Sequence, residues 1–123
     1  MEGQRSLWRS FVYALRGVIR AMRTEPNFQL HILATSFVIG LMVIFPVERF
    51  EVLILLMAIV AVLILELVNI AIERLVDIMK PRLHFYAGVV KDVTAASVLI
   101  ASLGALVIGL CIFVPYIQDL FAQ

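Results

Sequence analysis

Apolar residues fill three runs of the chain, residues 30–45, 52–65 and 93–114, and the polar residues between and before them recur with helical period. Pro46 closes the first run and Pro115 the third, whereas the second passes without a breaker into ELVNIAIERLVD at residues 66–77. A helix needs about 20 residues to cross a hydrocarbon layer roughly 30 Å thick, so only the third run is long enough by itself. The second becomes long enough once its polar continuation is added, and the first by borrowing residues at its start. The predicted spans are therefore residues 28–45, 50–80 and 88–114, with the part of the second beyond Glu66 at the headgroups or just past them. Residues 5–24 predict a different object. Arg5, Arg9, Arg16, Arg20 and Arg23 fall within an arc of about 60° on a helical wheel, opposite Leu7, Phe11, Leu15, Val18 and Met22. Such a helix lies in the membrane interface, a depth that also suits Trp8 and Tyr13. The pattern predicts an all-α integral membrane fold, an N-terminal amphipathic surface helix followed by three transmembrane helices, with residues 1–123 forming one unit.

Composition sharpens this picture. Of 123 residues 63% are hydrophobic, and the mean hydropathy is +1.07, against an apolar share of about half in soluble domains. A soluble enzyme is excluded, and there is no room for a separate soluble domain. The net charge of +1 conceals segregation, because five of the ten basic residues precede residue 24. By the positive-inside rule the N-terminus is cytoplasmic, as is the turn 81–92 with its neighbour Lys80, while the loop 46–51 lies across the membrane. Neither a cleaved signal peptide nor a nucleic-acid partner is expected. The single cysteine, Cys111, reads as a small packing residue, and Ser97, Ser102, Gly104 and Gly109 read as small residues for helix contacts.

The chemistry concentrates in the polar continuation. Glu66, Asn69, Glu73 and Asp77 project within an arc of about 80°, and Lys80 continues the face. Carboxylates on an apolar helix are costly and mark a functional site, or else serve as glue to basic residues of a neighbouring helix. Glu25, at the end of the surface helix, and Lys91–Asp92, at the mouth of the third span, belong to the same side of the membrane. Together these groups suit phosphoryl transfer from a metal nucleotide. Mg²⁺ prefers oxygen ligands and is held by one or two carboxylates plus phosphates, a lysine neutralises phosphate charge, and a carboxylate removes the acceptor's proton. No glycine-rich phosphate loop is present, so any nucleotide site is of a non-standard type. His31, His84 and Cys111 do not form a zinc pattern, and a structural hydrogen bond is the simpler role for each lone histidine.

The run ELVNIAIERLVD, followed by KDVTAASVLIA, resembles the bacterial membrane diacylglycerol kinase family, with its pattern E-x-x-N-[ST]-A-[IV]-E-x-x-[VIL]-D and then K-D-x-x-[AS]-A-A-V-L. TEPNFQLH at residues 24–31 is similar to the T-E-x-N-F-Q-x-H of the Gram-positive branch, which resembles undecaprenol kinases. The resemblance implies a homotrimer in the bacterial plasma membrane, with composite active sites at its cytoplasmic face, using ATP and Mg²⁺. It implies that Glu66 is the catalytic base and that Glu25 and Glu73 bind metal. Tyr13, Glu25, Glu73, Asp77, His84, Lys91 and Asp92 would bind ATP, with Asn69 in support. Ile70 departs from the pattern, replacing a hydroxyl residue beside Asn69. The expected activity is transfer of the γ-phosphate of Mg-ATP to a lipid alcohol, undecaprenol first and diacylglycerol as the alternative. A proton-coupled transporter, which would move protons without consuming ATP, and a scaffold subunit, which would lose its oligomer on Glu66→Gln, are the more distant readings.

Overall fold

The computed structural model describes residues 2–123. Its elements are α1 (Glu2–Thr24), α2 (Pro26–Ile44), α3 (Arg49–Leu83) and α4 (Phe85–Phe121). The last three are long and apolar enough to cross a membrane, as the hydropathy pattern predicts. They run alternately up, down and up. The α3–α4 pair forms the most extensive contact, and α1 and α2 pack against α3.

The α1–α2 corner is built by Pro26. The residue before a proline is pushed out of helical geometry, and Glu25 accordingly adopts φ −109° and ψ 107°. Proline at the first position of α2 also lacks the N–H that would have bonded to the carbonyl of Met22. The side chain of Gln29 supplies that donor instead, its Nε2 lying 2.9 Å from Met22 O. Phe28, 2% exposed, plugs the inside of the corner.

On α3 the buried positions include Leu55, Val62, Asn69 and Val76, spaced by seven residues, with Glu66 buried beside them. A seven-residue repeat keeps one seam of a helix facing its neighbours. The polar stripe thus shares the helix face that packs, which is why two of its members are buried.

Both interior prolines lie within helices, Pro81 in α3 and Pro115 in α4. This corrects two expectations. The turn predicted over residues 81–92 reduces to a single residue, His84, with φ 38° and ψ −94°, and the third span does not stop at Pro115 but continues to Phe121. Each proline removes one hydrogen bond, and in a helix held by a neighbour that loss alone does not end it. At 35 and 37 residues, α3 and α4 are about 50 Å long, well over the thickness of a bilayer core.

At the end opposite the α1–α2 corner, Glu48 and Glu51 form a reciprocal cap at the start of α3. The hydroxyl of Tyr116 donates to Glu51 Oε2 at 2.6 Å, while its ring packs 6.1 Å from that of Phe45. Tyr116→Phe keeps the ring and loses the donor. It is expected to lower the midpoint of thermal unfolding in detergent by a few degrees with helix content unchanged by circular dichroism; an unaltered midpoint would mean that this contact does not hold α3 to α4.

Within the single chain a Cβ at Gly104 or Gly109 would meet nothing within 4 Å, Cys111 is exposed, and Ser102 Oγ is buried.

Candidate functional site

α1 has three faces where periodicity predicted two. Its arginines occupy one side and its exposed apolar residues Leu7, Phe11 and Leu15 another. The third is a strip of small residues, Ala14, Gly17 and Ala21 with Val18, which faces Leu67, Ile70 and Ala71 of α3 across a groove of about 540 Å³. Glu25 and Arg74 stand at its polar edge and form an ion pair. Small side chains let the two backbones come close enough for this pairing. Ile70, the departure from the family pattern, contributes an apolar wall to the groove.

Glu66 sits at the α2–α3 contact, 3% exposed, and Asn69 follows one turn later at 5%. Asn69 Nδ2 is 3.4 Å from Glu73 Oε1, while Asn69 Oδ1 is buried with no hydrogen-bond partner among the described residues. The carboxylates of Glu73 and Glu25 both lie within Coulombic range of Glu66. Glu66 and Glu73 share one face of α3, and Glu25 reaches the same helix through its ion pair with Arg74. Further along the same face, Lys91 of α4 donates to Asp77 of α3 across 2.5 Å. That contact fixes the lysine ammonium beside the stripe.

Other predicted site residues stand apart. Tyr13 is exposed, nearer the N-terminus of α1, with Arg16 over its ring at 5.9 Å. His84 is exposed at the α3–α4 corner, and Asp92 and Lys80 are exposed on α4 and α3. Among the described residues no hydrogen bond or ion pair joins Tyr13, His84 or Asp92 to the acids.

Two residues here were not assigned to the site by sequence reasoning. Arg74 lies off the arc of the stripe, and nothing in helical spacing indicates that it reaches Glu25. His31 approaches Glu66, Nε2 to Oε2, at 3.7 Å. The position of His31 in the TEPNFQLH segment was the only available signal.

Among the described residues no group of three or more His, Cys, Asp or Glu side chains is arranged to hold a metal by itself. The donor set is nonetheless one that suits Mg²⁺, which takes hard oxygen ligands and draws much of its shell from phosphates and water. Glu25 and Glu73 each use Oε1 in their contacts with Arg74 and Asn69, and Asn69 Oδ1 is left without a hydrogen-bond partner among the described residues.

The prokaryotic diacylglycerol kinase family matches residues 12–113, the whole of the region just described. The undecaprenol kinase of Bacillus subtilis is 36% identical over 108 residues, covering 88% of each chain. A diacylglycerol kinase of Synechocystis is 35% identical over 112 residues, 90% of this chain and 64% of that one. A diacylglycerol kinase of Haemophilus influenzae is 30% identical over 99 residues, 80% of this chain and 84% of that one. The chain belongs to the prokaryotic diacylglycerol kinase family and is a lipid kinase.

Proposed function

We propose that this protein transfers the γ-phosphoryl group of Mg-ATP to the hydroxyl of undecaprenol. The observation that carries the chemistry is the face of α3 that holds the buried Glu66 and Asn69, with Glu73 against Asn69, Glu25 drawn to the same helix by Arg74, and Lys91 fixed further along by Asp77. Glu66 accepts the proton of the acceptor hydroxyl as its oxygen attacks the γ-phosphorus, and ADP leaves on the opposite side. Glu25 and Glu73 would hold Mg²⁺, which would supply charge neutralisation to the phosphate oxygens. Lys91, oriented by Asp77, steadies phosphate. Tyr13, His84 and Asp92 contact the nucleotide, and since they lie away from the acids within one chain, closing the site is assigned to neighbouring copies in a homotrimer. The site faces the cytoplasm of a bacterial plasma membrane, where ATP is available; the clustering of arginines before residue 24 supports that orientation.

For the acceptor, the TEPNFQLH segment and the match to an undecaprenol kinase over 88% of each chain favour undecaprenol. The match of similar identity to a diacylglycerol kinase makes diacylglycerol the second reading. Phosphate transfer from labelled Mg-ATP, with purified protein in mixed micelles holding one lipid or the other, separates them. Faster labelling of undecaprenol is expected. Faster labelling of diacylglycerol would overturn the acceptor and keep the mechanism, and labelling of neither by folded protein would overturn both.

A further inference from the structure

We propose that His31 is a positioning residue for phosphoryl transfer, holding the Glu66 carboxylate in the orientation that receives the acceptor's proton. The inference rests on the reading of Glu66 as the base. Its starting point is geometric. The Glu66 side chain is 4% exposed and the His31 side chain 19%, and the two meet across the α2–α3 contact with Nε2 3.7 Å from Oε2. That is longer than a hydrogen bond, and a closure of under about 1 Å brings it into range. Contacts of catalytic groups are often long without substrate and tighten when it binds.

The segment before His31 is built to deliver it. Pro26 starts α2, Gln29 replaces the donor that the proline removes by binding Met22 O at 2.9 Å, and Phe28 is buried to 2% exposure in the corner. Phe28 and His31 are three residues apart and so project from the same face of α2. Anchoring Phe28 therefore also aims His31. The Gln29 contact is local to residues 22–29, whereas the His31–Glu66 contact crosses to α3. The motif TEPNFQLH thus has a physical reading: a corner, a plug, a strut and a tip that touches Glu66.

A carboxylate able to rotate wastes part of its encounters with the hydroxyl. A single N–H donor on one oxygen leaves the other directed at the acceptor, and when the proton arrives on Glu66 the imidazole stays neutral and in place. Positioning of this kind acts on the chemical step, not on nucleotide capture.

The test is a double-mutant cycle measured as phosphate transfer in mixed micelles with the faster of the two acceptors. His31→Leu is expected to lower kcat by about 10- to 100-fold, by analogy with residues that orient metal ligands, with KM for Mg-ATP unchanged. His31→Gln, which keeps an N–H at similar reach, is expected to recover most of the loss. In a Glu66→Gln background, His31→Leu is expected to cost nothing further, because the residue it orients is already disabled. Equal losses for Leu and Gln, a rise in KM for Mg-ATP with kcat unchanged, or a full additional loss in the Glu66→Gln background would overturn the role of His31 alone. Near-normal transfer by Glu66→Gln by itself would overturn the assignment of the base, and the present inference with it. Helix content and oligomer size, compared across all variants, separate these outcomes from misfolding, since His31→Gln retains both the polarity and the approximate bulk of the site.

Discussion

Glu66→Gln is expected to reduce lipid phosphorylation by about 10²- to 10⁴-fold, the range for removal of a general base, while the protein remains helical and assembled. The substitution is nearly isosteric. Glu66 lies buried at the α2–α3 contact, where a glutamine amide fits the same space and avoids burying a charge. Nothing in the packing therefore requires the acid, and the proposed role in proton transfer accounts for its presence at a costly position. The measurement is initial velocity against both substrates, together with the oligomer size in detergent. A fall in kcat with unchanged KM for Mg-ATP supports the base. Loss of the oligomer with Glu66→Gln would instead support the scaffold role, in which the acid serves as interhelical glue.

On the proposed role of Glu73 as a metal ligand, Glu73→Gln is expected to give a loss of at least about 100-fold in kcat/KM for Mg-ATP, because direct metal ligands matter more than the 10- to 100-fold typical of their supporting residues. Here too the neighbourhood survives. Asn69 Nδ2 lies 3.4 Å from Glu73 Oε1, and a glutamine oxygen accepts from the same donor. What disappears is the negative charge that attracts a hard cation. The expected signature is a Mg²⁺ requirement shifted to higher concentration, measured by titrating Mg²⁺ at fixed ATP. A wild-type Mg²⁺ titration in Glu73→Gln would remove this residue from the metal site. Comparison with Glu66→Gln distinguishes the two acids, since only Glu73→Gln is expected to alter the dependence on metal.

Helical period alone was sufficient to bring Glu66, Asn69, Glu73 and Asp77 onto one face, because their spacing is a property of a single helix. It did not reveal that Asn69 occupies the seven-residue seam with Leu55, Val62 and Val76, since the direction in which a face points depends on its neighbours. The prolines show the opposite failure. Local rules end helices at Pro81 and Pro115, and both helices continue through them, leaving His84 as the whole α3–α4 corner. Pro26 obeyed the local rule because Gln29 and Phe28 stabilise the break.

The sequence by itself determined what depends on short separations along the chain: three apolar helices of membrane length, an arginine-faced helix before them, and a polar stripe at the end of one run. Hydropathy and a 3.6-residue period act within a helix and need no partner. Only the tertiary structure decided which stripe residues meet which neighbours: Glu25 with Arg74, Asp77 with Lys91, and Glu66 with His31. These pairs join residues 14 to 49 positions apart. They follow from the small strip of α1, the corner at Pro26 and the one-residue turn at His84, which set how the helices dock, and docking is a property of surfaces in contact that no single helix carries.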